Sequence, residues 1–201
     1  MTMAIRYATP PPDGGGFLRP TLIKIFSRDT PENREALGGS AASEIVVQQA
    51  HQVYFMELDE VVRGRTISAA PPRLWRYLVY VQERVIADAE LFIDSAGKPH
   101  FAALNYGPVA QATVKGIRGL EGLTPREVDY ELRALQIPAL HFVAVWLHGA
   151  TDDQILPIAP TRVRWTSLGR PLSEKELLDL LRPEATELMR LYGSAPRGSG
   201  G

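Results

Sequence analysis

Apolar and polar positions along this chain change their spacing several times, and each change marks an element. Residues 1–19 contain "TPPPDGGG" and follow no period, which predicts a flexible tail. The apolar stretch "TLIKIF" after it predicts a docking strand within 20–41, hung from a linker rich in Pro, Gly, Ser and charge. The ordered domain is expected over 42–193, with 194–201 as a disordered tail. Its first elements are a helix in "SEIVVQQAHQ", capped by Ser43, and a strand in "VYFMELD".

From Arg76 the alternation is clearer. "RYLVYV" is β-branched and aromatic, as strands prefer. In "VIADAELFID", Ala87, Ala89, Leu91 and Ile93 alternate with Asp88, Glu90, Phe92 and Asp94, predicting a strand with one buried and one wet face. "SAGK" supplies a hairpin turn with Gly97 free to take a positive φ, and "PHFAALNY" returns as the third strand of a meander. Gly107-Pro108 opens a helix, because proline suits the first helical position. "TPRE" at 124–127 has the spacing of a capping box, and the segment after it reads as one helical turn leading into a strand.

"LHFVAVWLH" is apolar on both faces, as a covered central strand would be. "GATDD" turns the chain, "QILPIAP" continues as a proline-limited edge, and "TRVRWT" predicts one more edge strand. Ser173 and Glu176 make a capping box before a leucine-rich helix that Pro183 is expected to kink or split. The sum is an α+β fold: an antiparallel sheet of about five to six strands, a meander plus a later hairpin, with helices packed on one face. A single domain with flexible tails is expected.

Composition narrows the function more than the fold. The chain has 201 residues, of which 45% are hydrophobic and 22% charged, enough to bury a core. A net charge of -1 weighs against a dedicated nucleic-acid binder, which normally carries a basic excess. There is no cysteine, so thiolate zinc sites, thiol nucleophiles and disulfides are excluded. No apolar run approaches the roughly 20 residues of a membrane span, and no secretory signal is evident, so the expectation is cytoplasmic.

Candidate chemistry is sparse. His141 and His148 stand seven positions apart, so on one strand they point to opposite faces roughly 23 Å apart. Asp152 and Asp153 form an ordinary turn pair. Asp88 and Glu90 lie about 7 Å apart on one strand face, and a wet face gives the same pattern. "RVRW" would place Arg162 and Arg164 beside Trp165 at an exposed edge, where they protect the edge from mispairing or grip an acidic partner or an anion. No GxSxG, HExxH or SxxK is present, and no catalytic residue, metal ligand or cofactor is assigned.

The expectation is therefore a non-catalytic protein-binding module, an adaptor or chaperone-like protein, that meets a protein partner or itself through its sheet or C-terminal helix. Its element order is also found in small secretion chaperones, with no residue motif in common. The alternative is an enzyme or small-molecule binder with a pocket between sheet and helices, using Asp88, Glu90, His141 or His148. Nucleic-acid binding would require Arg162, Arg164, Lys115 and Arg118 to cluster in space.

Overall fold

The computed structural model describes residues 5–121, 129–166 and 169–194. Three strands in sequence order build one end of the sheet: β3 (Pro72–Val81), β4 (Arg84–Ile93) and β5 (Pro99–Tyr106) form the meander that alternation predicts. Gln82 at φ 55° and Gly97 at φ 79° make its two turns. The sheet continues through β2 (Ile45–Phe55), β6 (Tyr130–Ile137), β7 (Phe142–His148) and β8 (Asp153–Pro157), in the order β5-β4-β3-β2-β6-β7-β8. The short strand β1 (Ile5–Tyr7) pairs in parallel with the start of β6, while β2 pairs in parallel with its end. The α+β class holds, with eight strands in a mostly antiparallel sheet.

Alternation along the strands fixes what covers each face. Tyr77, Val79, Ala87, Ala89 and Leu91 pack with Leu18, Leu22 and Phe26 of α1 (Gly14–Phe26). On the same face, Phe142, Ala144 and Trp146 of β7 pack against α3 (Leu58–Arg63) and α6 (Glu174–Ser194). The opposite face belongs to α4 (Pro108–Glu121). Its Ala110 meets Leu78 and Tyr80, and its Ile117 and Leu120 meet Val145 and Leu147. Gly116 makes this crossing close: a Cβ there would stand 3.1 Å from Val145 and 3.2 Å from Ile158.

Several elements differ from expectation, each for a traceable reason. "TLIKIF" is not a docking strand but the end of α1, because Leu18, Leu22 and Phe26 recur at four-residue spacing and bury one helical stripe. The expected linker holds a second helix, α2 (Pro31–Leu37), with Pro31 in its first turn and Gly38 as a left-handed cap. The Thr30 side chain accepts from the Asn33 amide at 3.2 Å.

From Ile45 onward "SEIVVQQAHQ" is strand, with only Ala42–Glu44 in a 3-10 turn before it. Its helical look comes from one extra residue near Gln49, which breaks the period of two. "TRVRWT" forms no edge strand: Val163–Thr166 is a short helix, α5, which turns Trp165 inward. Pro183 leaves α6 undivided. It lies on the exposed side, where water can take the carbonyl it leaves unbonded. The capping box at 124–127 lies outside the described residues, as does most of the expected C-terminal tail.

Candidate functional site

Three places combine polar chemistry with position, and the first lies on the α4 side of the sheet. Arg76 on β3 is 2% exposed and Asp88 on β4 is 0% exposed, which overturns the wet face expected for that strand. The guanidinium bonds Glu90 through Nε at 3.1 Å and Nη2 at 2.5 Å, and its Nε lies 3.4 Å from Asp88 Oδ1. Asn105 of β5 donates to Asp88 Oδ1 at 2.8 Å. His51 of β2 stands opposite Arg76 in the register and is 1% exposed.

The bulge in β2 shapes this region. Gln49 takes φ 55°, a left-handed conformation uncommon outside glycine. Its side chain accepts from the Tyr80 hydroxyl at 2.5 Å and donates to the Tyr7 hydroxyl at 3.2 Å, tying β1 to β3. Its carbonyl lies 2.9 Å from His51 Nδ1. A carbonyl only accepts, so Nδ1 carries the proton and Nε2 is left as a buried acceptor.

Burial sets the charge states. It pushes His51 down from 6.5 to about 4, the Gln49 bond opposing and the nearby Arg76 cation adding to the fall. It pushes Asp88 up, with Arg76 and Asn105 pulling back. His51 is therefore neutral at pH 7. His51 Nε2, Arg76 Nη1 and Asp88 Oδ2 are all buried without a protein hydrogen-bond partner. Sequence reasoning treated Asp88 and Glu90 as solvated and did not single out Arg76, His51 or Asn105. The available signal was an arginine within a strongly apolar strand.

The second place is an open groove of about 570 Å³ at the β7–β8 turn. Here His148 Nδ1 meets Asp153 Oδ1 at 2.8 Å. Asp152 accepts from the Tyr130 hydroxyl at 3.1 Å and from Gln154 at 2.9 Å. Ser68, Ser173, Glu174 and Lys175 line the other wall. Glu174 accepts from the Ile67 amide at 3.0 Å, and Lys175 pairs with Asp179 at 2.7 Å. Gly149 is required by the turn, since a Cβ would come within 2.5 Å of the Asp152 carbonyl.

The third place is the free edge of the sheet. At the β8 end, Ile155 exchanges backbone hydrogen bonds with Leu172 at 2.9 and 2.8 Å, so chain covers that edge. Strand β5 is terminal at the other end and, among the described residues, has no neighbour on its outer side. Of the nine large apolar side chains exposed among the described residues, Phe92, Ile93 and Tyr106 belong to the β4–β5 hairpin.

The residues singled out from sequence do not come together. Trp165 is buried against Phe142, with ring centroids 5.7 Å apart, so it offers no exposed stacking surface. Arg162 and Arg164 both pair with Glu184 of α6. Lys115 and Arg118 lie on α4, across the sheet, so these four cations form no common patch. His141 sits exposed at φ 47° before β7, and His148 ends that strand, far from Asp88 and Glu90.

Among the described residues no group of three or more His, Asp or Glu side chains is placed to hold a metal ion. No described helix is long and apolar enough to cross a membrane. No protein-family model, no curated protein and no solved structure matches the chain.

Proposed function

We propose that this chain is a non-catalytic protein-binding module, an adaptor or chaperone-like protein, that receives an extended segment at the outer edge of β5. The observation that carries this reading is the chemistry of that edge. From Pro99 to Gln111 no Asp, Glu, Lys or Arg occurs, although an open edge is normally guarded by such charges. An edge strand leaves about half its backbone groups pointing away from the sheet, and an added strand satisfies them. Phe92, Ile93 and Tyr106 supply apolar contact beside it.

Affinity capture from native lysate tests this, with the wild type run beside Ala103→Lys. Ala103 lies mid-strand and opposite Glu90, so the lysine adds an edge charge without stranding it. Proteins held by the wild type should be lost by the variant, and β5 amides should gain hydrogen-exchange protection when the partner binds. Identical captured sets, or unprotected β5 amides, would sink the reading.

A small-molecule or enzymatic role is the second reading, favoured by the His148–Asp153 pair at the groove. An ionised carboxylate that accepts from Nδ1 leaves Nε2 as the basic nitrogen, the arrangement used in general-base catalysis. A metabolite screen by thermal shift should then give ligands whose shift disappears in His148→Ala. Shifts equal in both proteins would remove the groove from consideration.

A further inference from the structure

Strand β6 has two neighbours along one edge. Its residues 130–132 pair with β1, while 133–136 pair with β2. Strand β2 parts from β6 near the Gln49 bulge: residues 52–54 lie between β3 and β6, whereas 45–48 pair with β3 alone. That divergence opens a wedge within the sheet, and the three residues of β1 fill it. We propose that the wedge is a strand-docking slot which β1 occupies as a built-in competitor. Its partner is an extended segment of another protein with an apolar, a basic and an aromatic residue in succession.

The recognition groups all belong to the body of the protein. Ile5 packs with Ile117, Leu120, Tyr130 and Leu132 on the α4 side. Arg6 projects from the other face, pairs with Asp129 and stands opposite Glu131. Tyr7 returns to the α4 side, where its hydroxyl accepts from Gln49 at 3.2 Å. Burial, and after it the Glu121 carboxylate, hold that hydroxyl above its usual pKa. The slot therefore has an apolar wall and an acidic wall, with the backbone groups of β6 between them, which is what reads an extended peptide of this pattern.

What holds β1 in place is slight. Among the described residues it pairs with no strand but β6, and Arg6 and Tyr7 are exposed. Its ion pair to Asp129 is exposed at both ends and contributes little in water. Residues 10–12 are all proline, a stiff tether between β1 and α1. A segment with so few buried contacts opens without unfolding the rest.

The probe is a fluorescent peptide of residues 3–10, MAIRYATP, titrated into the full chain and followed by anisotropy. Tethered β1 competes at an effective concentration on the order of mM. Ile5→Asp undocks β1 and should bind the peptide at least about tenfold more tightly than the wild type does. Adding Asp129→Arg to that variant should abolish binding, and the peptide MAIEYATP should restore it, a reversal that a misfolded chain could not give. Adding Ala103→Lys instead should change nothing, so the slot and the β5 edge stand or fall separately. Lysate proteins that the peptide elutes from Ile5→Asp should carry the apolar–basic–aromatic order. Equal affinity of wild type and Ile5→Asp, binding indifferent to Asp129→Arg, or eluted proteins without that order would overturn the proposal. So would a wild-type mass of two chains that falls to one in Ile5→Asp, which would give the slot to β1 of a second copy.

Discussion

Arg76→Met should lower the melting temperature by an amount on the order of 10 °C, the largest loss expected from a single substitution in the polar cluster. The guanidinium is the only cation described in contact with Asp88 and Glu90. Removing one member of a buried pair leaves the other uncompensated, at a cost of about 3–5 kcal/mol. For a chain of this size, each kcal/mol corresponds to about 2–4 °C. Methionine roughly keeps the volume, so the loss reports charge and not a cavity. The triple variant Arg76→Met/Asp88→Asn/Glu90→Gln should recover most of it, because neutral amides no longer leave buried charge unpaired. A loss below about 1 kcal/mol for the single variant would mean that the carboxylates find water or protonate without penalty.

Acid sensitivity follows from the same cluster. The folded pKa of His51 is depressed from 6.5 to about 4, so the unfolded chain takes up its proton first. Stability from neutral His51 is therefore complete above pH 6.5 and is lost as pH falls toward 4, by roughly 3 kcal/mol in all. Asp88 acts in the opposite direction: its pKa is raised in the fold, so its protonation favours the native state at the acid end. Urea unfolding at a series of pH values should show stability declining through this window, and His51→Gln should flatten the slope. A slope that persists in His51→Gln would assign the sensitivity to other groups.

Legibility from sequence divides along the range of the interactions involved. The meander was readable because Gly97 and the alternation of "VIADAELFID" act over a few residues. The capping box of Ser173 and Glu176 is also local, and the structure contains it, with Glu176 accepting from the Ser173 amide at 2.9 Å. The candidate sites were less legible. Trp165 was expected outside because "RVRW" alternates, but four residues carry too little period to separate a strand from a helical turn. Asp88 and Glu90 were named, but their setting was not, since an acid on every second residue reads as a wet face until a helix is seen to cover it.

The class of fold, the hairpins and the position of α4 are legible without coordinates, because turn chemistry, capping and hydrophobic period are local. That Gln49 bulges within a strand was set by long-range pairing, since the partners of β2 lie in distant β3 and β6. Tertiary packing also decided that α4 crosses the acidic face, that His51 and Arg76 meet there, and that Ala102 is an extra residue in β5. Each of these depends on which segments pack together, and burial, unlike a turn, is a property no short stretch of chain possesses alone.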